Sequence, residues 1–115
     1  MKPSPFHEAY LRFVRLLETL EDSNVLPALD DVERSLLNSI AMHSAAGKPL
    51  LVGDLIYLNK AGSPATLNRR LSKLVKSGLI QHGSDIDGRK KYLELTPKAY
   101  DYFSKVGACI QKAAI

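Results

Sequence analysis

Ser63-Pro64-Ala65-Thr66-Leu67-Asn68-Arg69-Arg70-Leu71-Ser72-Lys73-Leu74-Val75-Lys76-Ser77-Gly78 is the stretch around which the rest of the chain is organised. Ser63 is an N-cap residue type, whose hydroxyl accepts from an unpaired N–H of the first helical turn. Pro64 has no N–H to lose at the first helical position, and Gly78 admits the left-handed conformation that ends a helix. Stepping about 100° per residue from Leu67 puts Leu71, Leu74 and Val75 at about 40°, 340° and 80°, one apolar stripe. Ala65, Arg69, Ser72, Lys73 and Lys76 fall between about 140° and 240°, on the opposite face, and Arg70, at about 300°, flanks the stripe. No acidic residue occurs between Lys60 and Gln81. The spacing predicts a capped helix with one buried side and one small, cationic side.

Downstream, Leu79-Ile80-Gln81-His82 runs into the loop 83–90, and Lys91-Tyr92-Leu93-Glu94-Leu95 runs back. Asp87-Gly88 is a strong hairpin turn signal, and the alternation of Leu93 and Leu95 with Tyr92 and Glu94 predicts one buried face. Thr96-Pro97 opens a last helix with Ala99, Tyr102, Phe103, Val106 and Ile110 on one side. Upstream, Val52–Asn59 is a short helix expected to bury Leu55, Ile56 and Leu58, preceded by an extended Leu50-Leu51. Asp30 and Glu33 make a capping box for a helix carrying Val32, Leu36, Leu37, Ile40 and Ala41, which Gly47 and Pro49 stop. Phe6, Tyr10, Phe13, Leu17 and Leu20 recur at helical spacing in a first helix. It should end near Glu21–Asn24, because the residue before Pro27 is pushed out of helical geometry.

At 115 residues the chain is one domain's worth. Its 45% apolar and 24% charged content excludes a disordered or collagen-like polymer. No apolar run has the length of a membrane span, no signal region follows Met1-Lys2-Pro3-Ser4-Pro5, and the single Cys109 cannot form an internal disulfide. A cytoplasmic location is the expectation. The charge is unevenly spread. Residues 1–46 carry four basic and seven acidic side chains, a net −3, whereas residues 47–115 carry twelve and five, a net +7. The stretch Lys60–Lys91 alone is +6. One half of the chain is therefore suited to a polyanion.

The expected fold class is mainly α with a small β-hairpin (α+β). A short helix, a tight turn and a second helix with a basic outer face make a helix-turn-helix, and a hairpin with the basic tip Arg89-Lys90-Lys91 adds a wing. The run 63–71, then Leu74 with Gly78-Leu79-Ile80, then Asp87-Gly88-Arg89 and Leu95-Thr96, resembles the MarR family of bacterial transcriptional regulators over roughly residues 30–100. The resemblance implies a homodimer on a pseudo-palindromic operator of double-stranded DNA. It often implies repression, sometimes relieved by a small aromatic effector. By position it makes Ser63, Pro64, Thr66, Arg69 and Arg70 recognition-helix contacts and Arg89 a minor-groove residue oriented by Asp87. The residues themselves agree on Arg69 and Arg89, add Lys73 and Lys76 together with Lys90 at the wing tip, and leave Arg70 as a phosphate or an intramolecular partner. The chain departs from the family in having one C-terminal helix, Ala99 where a glycine is common, and a longer turn at 59–62. The effector response is therefore not carried over.

Three segments are expected: an N-terminal helix for dimerisation (1–29), a winged-helix DNA-binding domain (30–96) and a C-terminal helix for dimerisation (97–115). Phe6, Tyr10, Phe13 and Leu17 with Tyr102, Phe103, Val106 and Ile110 carry more apolar surface than one small domain easily buries, which favours a two-fold dimer. His7, His43 and His82 lack metal-ligand spacing, Cys109 has no partner cysteine, and no paired carboxylates, nucleophile motif or phosphate loop occurs. Neither an enzyme, a metal nor a cofactor is expected. Two rival functions share the basic face: a winged-helix adaptor for an acidic protein, and a factor binding DNA without regard to sequence. Base-sequence preference separates the first reading from both.

Overall fold

The computed structural model describes residues 4–84 and 88–115. Five helices and one antiparallel hairpin follow in the order α1 (Phe6–Asp22), α2 (Asp31–Ala45), α3 (Val52–Leu58), α4 (Pro64–Lys76), β1 (Ile80–Ser84), β2 (Lys91–Leu95) and α5 (Pro97–Ala113). The chain divides into two compact units, one formed by Met1–Ala28 with Asp101–Ile115, the other by Leu29–Tyr100.

The larger unit is built from locally specified ends. The Asp30 carboxylate accepts from Glu33 N at 2.7 Å and the Glu33 carboxylate accepts from Asp30 N at 3.1 Å, the reciprocal cap expected for α2. Its exit and that of α4 are alike. Lys48 N donates to His43 O and Gly47 N to Ser44 O, as Leu79 N donates to Leu74 O and Gly78 N to Val75 O. Gly47 and Gly78 have φ of +74° and +80°, so both helices end in the paired carbonyl cap that needs a left-handed residue. The core lies where α2, α3, α4 and the hairpin meet: Leu36, Leu37, Ile40, Leu55, Leu67, Leu74, Leu79, Ile80 and Leu93 are all buried. Leu58, expected inside, is 52% exposed, because the seven-residue α3 turns only Leu55 fully inward.

The strands pair antiparallel from Ile80↔Leu95 to Ser84↔Lys91, and the expected Asp87-Gly88 turn falls partly outside the described residues. Leu50 and Leu51 extend the sheet locally: Leu93 N donates to Leu50 O at 2.8 Å, and Leu51 bridges Tyr92. The Thr96 hydroxyl donates to Gly78 O at 2.6 Å and accepts from Ala99 N, capping α5 while holding the exit of α4.

In the smaller unit α1 ends earlier than Pro27 requires. Asn24 takes φ +59°, Val25 N donates to Leu20 O and Asn24 N to Glu21 O, the same cap built on asparagine. None of the residues of α1 is fully buried: Phe6 is 80% exposed, Tyr10 is exposed, and Phe13 and Leu17 are half-buried. The inward line of α5 over this unit is Tyr102, Cys109 and Ala113, with Phe103 and Val106 half-buried. Ile110, placed on the apolar side from spacing, is 54% exposed, since Cys109 and Ala113 occupy that line instead. The Tyr102 and Phe103 rings meet edge-on with centroids 5.6 Å apart. The Arg12 guanidinium donates twice to Ala113 O, satisfying a carbonyl at the end of α5. Among the described residues no helix is long and apolar enough to cross a membrane, and no group of three or more metal-ligating side chains occurs.

Candidate nucleic-acid interface

The start of α4 is held from both sides. Asn59, in the turn after α3, accepts from Ala61 N at 2.9 Å and donates to Ser35 Oγ on α2 at 3.2 Å, fixing the turn against the helix behind it. Ser63 Oγ then accepts from Thr66 N at 3.2 Å, the expected N-cap, and donates to Thr66 Oγ1 at 3.1 Å. Arg69 Nη2 reaches Thr66 Oγ1 at 3.4 Å, so Ser63, Thr66 and Arg69 form one surface chain of polar groups. Because α4 has no acid in its first turn, the partial positive charge of its N-terminus is uncompensated by any side chain there. Leu67, Leu71 and Leu74 face inward, while Ala65, Arg69, Ser72, Lys73 and Lys76 are exposed.

The four cations of α4 are not equivalent. Arg70 Nε lies 3.0 Å from Asp30 Oδ2, and Lys73 Nζ lies 3.6 Å from Glu33 Oε1. Among the described residues Arg69 and Lys76 make no ion pair. Of the two roles left open for Arg70, the intramolecular one is thus occupied. Sequence reading missed Asp30 and Glu33 as parts of this surface. The signal available was the matched spacing of three between 30 and 33 and between 70 and 73.

Asp30 is more acidic than an ordinary aspartate. The hydrogen bond from Glu33 N contributes most, burial opposes it, and the charges of Arg70 and Lys73 add to the lowering. A carboxylate with a lowered native pKa contributes stability that is complete above its unfolded value, about 3.9, and is lost as pH falls through the native value. Acid unfolding of Asp30→Asn should accordingly be less steep below about pH 4 than that of the parent. Urea midpoints measured between neutral and strongly acidic pH check this; parallel curves would move the acid sensitivity elsewhere.

No protein-family model matches the chain, and no curated protein does. Solved structures do match. Staphylococcus aureus MepR bound to ethidium bromide superposes with a TM-score of 0.71 at 17% identity, over 92% of this chain and 69% of that one. Staphylococcus aureus MarR in complex with salicylate and kanamycin gives 0.59 at 24% identity, over 90% and 64%. A MarR-family transcriptional regulator from Silicibacter pomeroyi gives 0.52 at 19%, over 95% and 68%. The chain has the MarR-type winged-helix fold.

In the MarR-type fold α3 and α4 form the helix-turn-helix, and β1–β2 form the wing. Gln81 Nε2 donates to Glu94 Oε2 across the strands at 3.2 Å. A groove of about 350 Å³ runs beside α4, lined by Asn68, Ser72 and Lys76 on the helix and His82 on β1. Gly88, Arg89 and Lys90 are exposed in the loop between the strands, and Gly88 has φ +69°. Asp87, expected to orient Arg89, lies outside the described residues. Ser63, Pro64, Arg69, Lys73 and Lys76 are exposed on α4, with Thr66 half-buried beneath Ser63 and Arg69.

Proposed function

We propose that this chain is a sequence-specific DNA-binding regulator of transcription, acting as a homodimeric repressor on an operator of two-fold symmetry. The observation that carries the reading is α4: anchored by three buried leucines, it turns to solvent a face with Arg69 and Lys76, hydroxyls at its N-terminus and no acid. Such a helix enters the major groove by its N-terminal half. Arg69 reads a base edge, Ser63 and Thr66 bond to bases or phosphate, and Pro64 packs near them. Lys76 and Lys90 meet phosphates, and Arg89, oriented by Asp87, enters the flanking minor groove.

The dimer is assigned to Phe6, Tyr10, Phe13 and Leu17 together with Phe103, Val106 and Ile110, with the buried Tyr102 packed inside the unit behind them. An isolated 17-residue helix that fully buries no side chain gains little from folding. The apolar face of α1 supports a second copy as the surface that covers it.

Selection from random duplex DNA at about 150 mM salt, with size exclusion on the same sample, tests both parts. An enriched inverted repeat with half-sites about one helical turn apart, bound by a dimer, is the expected result. Placing that site over a promoter distinguishes repression from activation. Retention without an enriched motif would replace the regulator by an architectural factor, and no retention would shift the assignment to an adaptor for an acidic protein.

A further inference from the structure

Helical side chains three apart share a face, so two such ladders brought side by side pair twice. Arg70 and Lys73 form such a ladder on α4 and meet the extended N-cap Asp30 and the first-turn Glu33 of α2, but the two contacts differ in burial. Arg70 Nε and Asp30 Oδ2 form an ion pair at 3.0 Å, and both side chains remain partly in solvent. Lys73 Nζ stands 3.6 Å from Glu33 Oε1, beyond a good hydrogen bond, and 62% of its side chain is exposed against 4% for Glu33. The Glu33 carboxylate accepts from Asp30 N, and its charge is balanced by a lysine that approaches from the surface.

We infer that Glu33 is a positioning residue that withholds Lys73 from DNA, an intramolecular carboxylate competing with phosphate for the same ammonium. The inference rests on the DNA-binding reading above. A phosphate can take Lys73 only by leaving a buried carboxylate without its countercharge, and that cost keeps Lys73 on Glu33 in the complex. The α4 charge that DNA meets is then that of Arg69 and Lys76, with Arg70 held by Asp30 and Lys73 by Glu33. Glu33 lowers affinity for duplexes of every sequence alike, because the contact it blocks is to the backbone.

Glu33→Gln keeps the side-chain length and an oxygen able to accept from Asp30 N, so the cap persists while the charge is removed. Its binding to a random-sequence duplex of about three helical turns, measured as affinity against salt, is compared with the parent, Lys73→Met and the double variant. Glu33→Gln should steepen the salt slope by about one unit per bound subunit and tighten binding about fivefold at about 0.15 M salt. Lys73→Met alone should leave the slope unchanged, and added to Glu33→Gln it should abolish the gain. An unchanged slope for folded Glu33→Gln overturns the inference, as does a slope about one unit shallower for Lys73→Met alone. Should Glu33→Gln fail to fold, Lys73→Met decides by itself: an unchanged slope supports the inference and a shallower one refutes it. Absence of salt-dependent binding by the parent would instead overturn the DNA-binding reading.

Discussion

Leu74→Ala should destabilise the Leu29–Tyr100 unit by about 2–5 kcal/mol, the range for deleting a large side chain from a packed core. Leu74 is fully buried and lies on the inward stripe of α4 between Leu71 and the helix exit at Gly78. Two losses combine there: the transfer of the side chain from water to the interior, and the contacts its neighbours keep only if the structure collapses into the gap. Because the same helix carries Arg69 and Lys76 outward, the substitution should also weaken DNA binding in proportion to the unfolded fraction. Urea unfolding decides it through a fall in midpoint at unchanged slope. Leu58→Ala is the matched control and should change stability little, since Leu58 is largely in solvent. A loss below about 1 kcal/mol for Leu74→Ala would mean that α4 is not anchored through this stripe.

Arg69→Ala should cost about 1–3 kcal/mol of discrimination at particular operator bases, with little change on unrelated DNA. Arg69 stands nearly two turns past the N-cap, on the exposed face, with its guanidinium near Thr66 Oγ1 and, among the described residues, no ion pair to break before it meets a base. A planar guanidinium there can donate twice to the O6 and N7 of a guanine. Lys76 lies two turns further on, where a helix entering by its N-terminus is already rising toward the backbone. Its replacement by alanine is the uniform counterpart, weakening all duplexes alike. Competition of operator and scrambled duplexes against each variant separates the two. Equal losses on both duplexes for Arg69→Ala would reduce Arg69 to a phosphate contact.

What was legible in the chain is what local chemistry decides. The Asp30–Glu33 box, the Ser63-Pro64 start and the Gly78 exit each involve residues a few positions apart, and each is present as expected. The direction in which α4 faces was legible for the same reason, because helical geometry converts spacing into angle. What α2 would offer to α4 was not. Arg70 and Lys73 find Asp30 and Glu33 across a long separation in sequence, and only their matched spacings of three and the angle of Arg70 beside the apolar stripe pointed that way. The outward position of Leu58 and the exchange of Ile110 for Cys109 and Ala113 are of the same kind. A helix pattern says that one side is apolar, while the neighbour decides which edge of that side is covered.

Cys109 is the chain's single cysteine and is 4% exposed. A thiol so placed reacts with an alkylating reagent only while the surrounding structure is open, so its labelling rate counts opening events without any introduced probe. The count belongs to the segment Asp101–Ile115, in the same unit as a helix that fully buries none of its own residues. If the chain dimerises as proposed, the reaction should slow with protein concentration. The chain therefore carries its own clock for the opening of that unit.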